Sequence, residues 1–319
     1  MSQYLRILLI ADPALRRTPA FERAAWLAQA TGASLHICVF GYSGAIATGK
    51  RLNKDAAAPA REAYLQQHRR WLDQAAESLR GNLGLRVTTE VVWAHPVLDE
   101  ILAHIQEMAP DLVVKDVHSA PVIKRVLFTP MDWELLRRCP VPLLLVNRVA
   151  HAVPKRIAAA VDPGRVGPGR PGLDSEVIRA ALALGIQCDA EVRLVHAFDP
   201  LPSLVAANPV DAAGLSTALA DSMRESQRQA FAELAQAHGV PADRCNFLEG
   251  QPAVAIAEYA AANGIDVVVV GTAQRSSLQR MLIGSTAERI LDYLPCDVLA
   301  VKPQGFAAQR VAETVAAAA

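Results

Sequence analysis

The sequence predicts an α/β protein made of two tandem, doubly wound domains, each with a five-stranded parallel sheet. The first observation is a repeat: residues 6–13 and residues 156–163 are both apolar runs that end in Asp-Pro. The second is a later pair of apolar runs, residues 111–115 and residues 266–271, that both start with Asp. The third is that short Val/Ile/Leu runs alternate with helical patterns in each half, which is typical of parallel strands buried on both faces.

The length agrees with two domains, because 319 residues allow each half to bury its own core. We expect a first domain at residues 1–150, a second at residues 151–304 and a C-terminal tail at residues 305–319. The join at residues 151–154 is too short for a flexible tether, so we expect the two domains to pack rigidly.

Ten apolar, β-rich runs predict five strands in each half. The expected strands are residues 5–11, 35–40, 86–93, 112–114 and 143–146 in the first half, and residues 157–161, 192–197, 245–249, 267–270 and 298–301 in the second. Right-handed crossovers between such strands give a doubly wound domain, formed twice.

Helical periodicity marks the segments between the strands. Residues 21–31 and residues 175–184 are predicted helices that end at Gly32 and Gly185. A longer helix follows the second strand of each half, and an irregular stretch is expected before it. The two long helices are predicted at residues 61–79 and residues 217–238. The irregular stretches before them are residues 41–59 and residues 199–214.

Composition excludes several classes of function. Lysine plus arginine and aspartate plus glutamate both number 32, so no basic surplus is available to bind a nucleic acid. Five cysteines without metal-binding spacing indicate small buried thiols in a reducing compartment. No apolar run approaches the ~20 residues of a membrane span, and no signal segment is visible. We therefore expect a cytoplasmic protein without a membrane or nucleic-acid partner.

A candidate anion site lies at the strand ends of the second half. Asp162 follows the first strand and Gly271 ends the fourth, and open α/β sheets bind ligands at this edge. Gly284, Ser285 and Thr286 precede a helical pattern, where hydroxyls and free amides suit a phosphate.

This segment resembles the nucleotide motif of the universal stress protein family, G-x-x-G-x9-G-[ST]. The spacing from Gly271 to Gly284 is kept, while Gln274 stands at the second glycine. The turn at residues 250–252 and the run at residues 295–301 also resemble the family, so that the likeness covers nearly the whole chain, twice. The tandem arrangement, with residues 115–118 and 128–140, is most similar to the E subgroup of the family.

The resemblance implies an adenine nucleotide alpha hydrolase-like fold with strand order 3-2-1-4-5 in each half. It implies that the first-strand Asp contacts the adenine end of a nucleotide and that the glycine motif wraps the ribose and phosphates. The cofactor-binding residues that it implies here are Asp162, Gly271, Gln274, Gly284, Ser285 and Thr286. We expect ATP or another adenine nucleotide in the second domain only.

The first half departs from the motif. Lys115 is aligned with the first glycine, His118 with the second and Phe128 with the third, while Thr129 takes the Ser position. An aromatic ring beside the helix N-terminus would fill the phosphate space, so no ATP is expected there.

Simpler interpretations remain open for these residues. Asp12 and Asp162 are also explained as plain Asp-Pro turns, and Gly271 and Gly284 as packing glycines. Residues 44–51 match a phosphate-binding loop except at the last position, where Arg51 replaces the required Ser or Thr, so we do not expect a phosphate there.

No metal site is expected. His95 and His118 follow the third and fourth strands, which the family's strand order separates by two others, or roughly 14 Å at ~4.8 Å per strand. His36 and His196 are interpreted as equivalent structural positions in the second strands of the two halves.

The expected function is that of a cytoplasmic, non-catalytic stress-response protein that acts through protein partners. No catalytic motif such as GxSxG or HExxH is present. We expect the two halves to form a pseudo-dimer within one chain, which is a monomer or a homodimer. One alternative is a carrier or sensor of an apolar small molecule bound near Val122, Leu127, Phe128 and Trp133. A second alternative is a slow ATPase.

Overall fold

The structure, a computed structural model, describes residues 4–52, 54–119, 126–147, 151–164, 172–199, 217–272 and 294–306. The chain divides into two compact units. The first consists of Ser2–Val117 with Thr129–Val153, and the second of Pro154–Ala319 with His118–Phe128. Each unit is described by itself.

The first unit alternates strands and helices from its beginning to its end. Its elements are β1 (Arg6–Ile10), α1 (Pro19–Thr31), β2 (Ser34–Gly41), α2 (Gly44–Leu52), α3 (Lys54–Leu83), β3 (Val87–Trp93), α4 (Val97–Met108), β4 (Leu112–Asp116), α5 (Pro130–Arg138) and β7 (Leu143–Val146). Two short segments, β5 (His118–Ser119) and β6 (Val126–Leu127), pair as an antiparallel ribbon that groups with the second unit.

The second unit repeats this alternation. Its described elements are β8 (Arg156–Ala160), α6 (Leu173–Cys188), β9 (Glu191–Phe198), α7 (Thr217–Ala237), a 3₁₀ turn (Ala242–Arg244), β10 (Cys245–Glu249), α8 (Pro252–Ala262), β11 (Val267–Gly271) and β12 (Asp297–Val301). All ten predicted strands are therefore present, and no strand end is shifted by more than two residues.

Both sheets are parallel and have the predicted strand order. The first runs β3-β2-β1-β4-β7 and the second β10-β9-β8-β11-β12, which is 3-2-1-4-5 in each unit. The central strands β1, β4, β8 and β11 are buried along most of their length, because helical crossovers cover both faces of a parallel sheet. The predicted fold class is confirmed.

One aspartate fixes the same backbone contact in each unit. The Asp111 carboxylate accepts hydrogen bonds from the amides of Leu5 and Arg6, at 3.0 and 2.9 Å. The Asp266 carboxylate accepts the equivalent pair from residues 155 and 156, at 2.8 and 3.0 Å. Because each carboxylate binds the start of the first strand to the start of the fourth, it sets the register between those strands.

Two local predictions are wrong. Residues 41–59 are not an irregular loop, because α2 starts at Gly44 and α3 at Lys54, and Pro59 lies inside α3. The helix predicted at residues 175–184 does not end before Gly185. It is α6, which continues to Cys188 and is followed by Asp189 in the left-handed conformation. The end of α1 at a left-handed Gly32 is confirmed.

The other predicted irregular stretch, residues 199–214, lies outside the described residues except for Asp199. Among the residues that the structure describes, no helix is both long enough and apolar enough to cross a bilayer.

Candidate functional site

In the second sheet, the order in which the chain adds strands reverses between β8 and β11. From β8 the chain proceeds outward through β9 and β10, whereas β11 and β12 lie on the other side of β8. Ala160 pairs with Val270, so that Asp162 lies two residues and Gly271 one residue beyond this pair. The two residues thus flank the switch point at which open α/β sheets bind ligands.

Asp162 is half-buried at this edge. Its amide donates to the Asp174 carboxylate in the first turn of α6, at 3.0 Å. Gly164, two residues further on, lies against the side chain of Gln227 from α7, where a Cβ atom would clash. The start of α6 and the middle of α7 therefore hold the loop that carries Asp162.

Gly271 is in close contact with α6. A Cβ atom at this position would lie 2.6 Å from Cγ of Leu173, the first residue of that helix. Thr272, which is buried, donates its amide and its hydroxyl to the Val301 carbonyl, at 2.9 and 3.2 Å. The packing interpretation of Gly271 thus has a physical basis, because only glycine leaves room for the Leu173 side chain.

The other residues assigned to this site lie outside the described residues. They are Gln274, Gly284, Ser285 and Thr286. The structure therefore places Asp162 and Gly271 at one edge and leaves the other four assignments as predictions.

In the first unit, the residue equivalent to Gly271 is Asp116, and the alignment of Lys115 with this glycine is wrong. Ile10 pairs with Lys115 in the same way that Ala160 pairs with Val270. Lys115 is therefore the counterpart of Val270. The two aligned runs differ in length: residues 111–115 are five residues and residues 266–271 are six. Matching their last residues therefore shifted the alignment by one position.

The side chain of Asp116, the last residue of β4, lies at the N-terminus of α1. Its carboxylate accepts a hydrogen bond from the Ala20 amide at 2.9 Å and interacts with the Thr18 hydroxyl. Burial raises the pKa of Asp116 and repulsion by the Asp12 carboxylate adds to this, whereas the Thr18 and Ala20 hydrogen bonds and Lys115 oppose the rise. Two carboxylates therefore face the carboxyl edge of the first sheet.

Lys115 forms a buried ion pair with the helix that follows. Its Nζ atom lies 2.6 Å from Oδ1 of Asp132, whose side chain is fully buried, and 2.9 Å from the Asp116 carbonyl oxygen. The other carboxylate oxygen of Asp132 accepts from the amide and hydroxyl of Thr129, which closes a capping box at the start of α5. Lys115 thus anchors the N-terminus of α5 to the end of β4.

Asp12 forms the turn that the simpler interpretation predicted. Its carboxylate accepts from the Ala14 amide at 2.9 Å and pairs with Arg16 at 2.5 Å. The neighbouring Pro13 carbonyl contacts Nε2 of His68 at 3.0 Å. An Asp side chain that bonds two residues ahead is a common device for a tight turn.

An aromatic cluster covers the ends of β2 and β3 in the first unit. Tyr42 stacks on His95 with ring centroids 4.2 Å apart and lies 5.9 Å from Trp93. Tyr64 of α3 meets Trp93 edge to face at 5.5 Å, and the Arg61 guanidinium lies 5.2 Å above the Trp93 ring. His95 is therefore part of an aromatic stack, and the side chain of His118 lies outside the described residues.

Comparison with known proteins agrees with this duplicated geometry. The model of the Universal stress protein family matches residues 3–147 and again residues 154–302. The chain belongs to the universal stress protein family. Universal stress protein E of Escherichia coli K12 is 27% identical over 307 residues, which cover 96% of each chain.

Solved structures from this family have the same tandem fold. A putative universal stress protein from Pseudomonas aeruginosa is 26% identical with a TM-score of 0.71, and the match covers 97% of this chain and 98% of the other. A universal stress protein from Archaeoglobus fulgidus shares the fold at 15% identity, with a TM-score of 0.62 and coverage of 93% and 98%. The predicted family and its tandem form are confirmed.

The structure also decides two further sequence features, the loop-like motif at residues 44–51 and the pair His36 and His196. Residues 44–51 lie within α2 and therefore do not form a phosphate-binding loop between a strand and a helix. His36 and His196 are not equivalent, because Leu8 pairs with His36 whereas the counterpart of Leu8 pairs with Arg193. His196 corresponds to Val39.

The structure also assembles a group that the sequence analysis missed. His36 and Cys38 of β2 and His104 of α4 bring potential metal-ligating atoms within 4.8 Å of one another. The signal available in the sequence was His-x-Cys on a predicted strand, since alternate residues lie on one face. The third member comes from a different element, which a spacing rule for cysteines does not detect.

Proposed function

We propose that this universal stress protein binds an adenine nucleotide, ATP or a close relative, in its second unit. The observation that carries the proposal is the position of Asp162 and Gly271 on either side of the switch point, with Gly271 at the start of the family's nucleotide spacing. A carboxylate there suits the amino group of adenine, and Gly284, Ser285 and Thr286 supply amides and hydroxyls for phosphates.

The difference between the two units supports a single site. In the first unit Asp116 stands where the second unit has Gly271, and Asp12 lies close enough to raise its pKa. Two carboxylates at this edge would repel the phosphates of a nucleotide. Gly271 contributes no charge, so the second unit lacks this source of repulsion.

The proposed role is to hold the nucleotide without chemical turnover and to act through protein partners. The Thr272 hydroxyl donates to the Val301 carbonyl, so it is engaged in the sheet and does not serve as a nucleophile. A phosphate-release assay checks this proposal. Release that stops in Asp162→Ala would support the slow ATPase instead.

Equilibrium dialysis with ATP tests the site, with a matched pair of variants. Asp162→Asn removes the charge that we assign to adenine, and loss of one charged hydrogen bond predicts about 10- to 100-fold weaker binding. Asp12→Asn makes the same change in the first unit, keeps the turn and should leave the affinity unchanged.

Two outcomes would contradict the proposal. If the unmodified protein binds no ATP, the assigned ligand is wrong. If Asp12→Asn weakens binding and Asp162→Asn does not, the site belongs to the first unit. Gly284→Arg gives a further check, because a long charged side chain at the predicted helix N-terminus should abolish binding there.

A further inference from the structure

A partly buried group of nitrogen and sulfur donors lies between β2 and α4 of the first unit. His36 and Cys38 are alternate residues of β2 and so lie on the same face of the strand. His104 comes from α4, which packs on β2. One potential ligand atom from each of the three residues lies within 4.8 Å of the other two.

The two imidazole rings contain buried nitrogens without a hydrogen-bond partner. Nε2 of His36 and Nε2 of His104 are both shielded from solvent, and no described residue forms a hydrogen bond with either. Leaving a buried polar atom unpaired is costly, and such atoms require an explanation. Nδ1 of His36, by contrast, lies 2.8 Å from the Thr88 hydroxyl, which holds the ring in place.

Aromatic packing holds the two imidazole rings side by side. The His36 and His104 rings are 5.2 Å apart and inclined by 20°, and Phe40 meets the His104 ring edge to face. The side chain of Cys38 is fully buried beside these rings.

We propose that His36, Cys38 and His104 bind a divalent transition-metal ion, with Zn²⁺ as the expected occupant. Imidazole nitrogen and thiolate sulfur are the ligands that Zn²⁺ prefers. Metal–ligand distances of about 2.0–2.3 Å place tetrahedral ligands roughly 3.3–3.7 Å apart, so these donors need to close by about 1 Å. Binding expels the thiol proton to solvent, and the resulting thiolate is stabilised by the metal charge.

Glu90 provides the fourth ligand and the route of entry. It pairs with Cys38 across the β2–β3 ladder, and its Oε2 atom lies 3.7 Å from Nε2 of His36. Its side chain is 50% exposed, and the charge of the bound ion would offset the cost of turning the carboxylate inward. Together the Cys38 thiolate and the Glu90 carboxylate balance the charge of one divalent ion.

The second unit serves as an internal comparison. Arg193 and Val195 stand at the positions of His36 and Cys38, and Arg193 pairs with Glu191 at 2.7 Å. These side chains cannot form the same ligand set, so we expect one such site per chain.

Cobalt titration of the tag-free, chelator-treated protein tests the proposal. We expect one equivalent of Co²⁺ to produce thiolate-to-cobalt charge-transfer absorption and the visible bands of a tetrahedral site, and Zn²⁺ to displace it. Cys38→Val, which installs the residue of the second unit, should abolish the charge-transfer band and weaken Zn²⁺ binding at least ~100-fold. Cys188→Ala removes another buried thiol and should change neither.

Thr88→Val is a second variant that does not depend on removing a ligand. Loss of the hydroxyl that orients His36 should weaken Zn²⁺ binding by about 10- to 100-fold while the charge-transfer band persists. Circular dichroism checks that each variant is folded. Absence of the band at one equivalent of Co²⁺, or equal Zn²⁺ affinity in the parent, Cys38→Val and Thr88→Val, would overturn the proposal.

Discussion

Replacing Lys115 with Met should strongly destabilise the first unit. The change keeps the apolar stem but removes the charge that lies 2.6 Å from Oδ1 of Asp132. Asp132 is fully buried, and Thr129 bonds only its other oxygen, so Oδ1 would be left unpaired. Breaking a buried ion pair on one side costs about 3–5 kcal/mol.

A control on the same helix separates this effect from the general loss of a charge. Arg138 of α5 pairs with Asp99 at 3.1 Å, and both side chains are substantially exposed. Arg138→Met should therefore cost less than ~1 kcal/mol. The double change Lys115→Met with Asp132→Leu should cost less than Lys115→Met alone, because it leaves no buried charge, although it also removes the side chain of Asp132 from the capping box, a loss of ~1 kcal/mol.

Tryptophan fluorescence during urea unfolding measures these changes in the first unit alone. All four tryptophans of the chain belong to that unit, at Trp26, Trp71, Trp93 and Trp133. The free energy of unfolding follows from linear extrapolation of that transition. If Lys115→Met costs no more than Arg138→Met, the buried pair does not stabilise the unit and the reasoning is refuted.

The remaining predictions concern Asp116 and two glycines. The raised pKa of Asp116 means that the folded state binds its proton more readily, so this residue's contribution to stability falls as pH rises from below 3.8 through the folded pKa. Asp116→Asn should therefore stabilise the first unit at a pH above the folded pKa of Asp116 and not at a pH below 3.8. Equal effects of the substitution at these two pH values would contradict this. A Cβ atom at Gly81 in α3 would meet no neighbouring side chain or element within 4 Å, so Gly81→Ala should stabilise the protein by up to ~1 kcal/mol. Gly185→Ala in α6 should destabilise by about 1–3 kcal/mol, because its Cβ would clash with Val192; calorimetry that finds the same sign for both glycines would refute the packing argument.

The strand positions and the duplicated fold could be predicted because buried parallel strands leave a strong local signal. The four-valine run of β11 and the Asp-Pro ends of the first strands identify their elements without knowledge of the neighbours. A run of identical apolar residues carries little information about register, however. The contacts of Asp111 and Asp266 with the first strands fixed it, and they showed that Asp116 is the counterpart of Gly271.

The errors at residues 41–59 and at Gly185 have a common cause. Glycine and proline disfavour helix on their own, but tertiary packing overrides that preference where the helix buries surface. Pro59 lies inside α3, and Gly185 lies inside α6, where it leaves room for Val192 of β9. The position of Gly185 is explained by the neighbouring strand and not by its local conformation.

The sequence by itself determined the family, the two-domain α/β fold, the strand order and the edge at which Asp162 and Gly271 lie. The fold and the edge follow from apolar periodicity, whereas the family, and with it the strand order, follows from the resemblance of short motifs. Both signals are properties of neighbouring residues. Only the tertiary structure decided which side chains meet across elements: Lys115 with Asp132, Asp116 with α1, and His36 and Cys38 with His104. Such contacts depend on register and packing, and therefore on distances that a linear pattern does not contain.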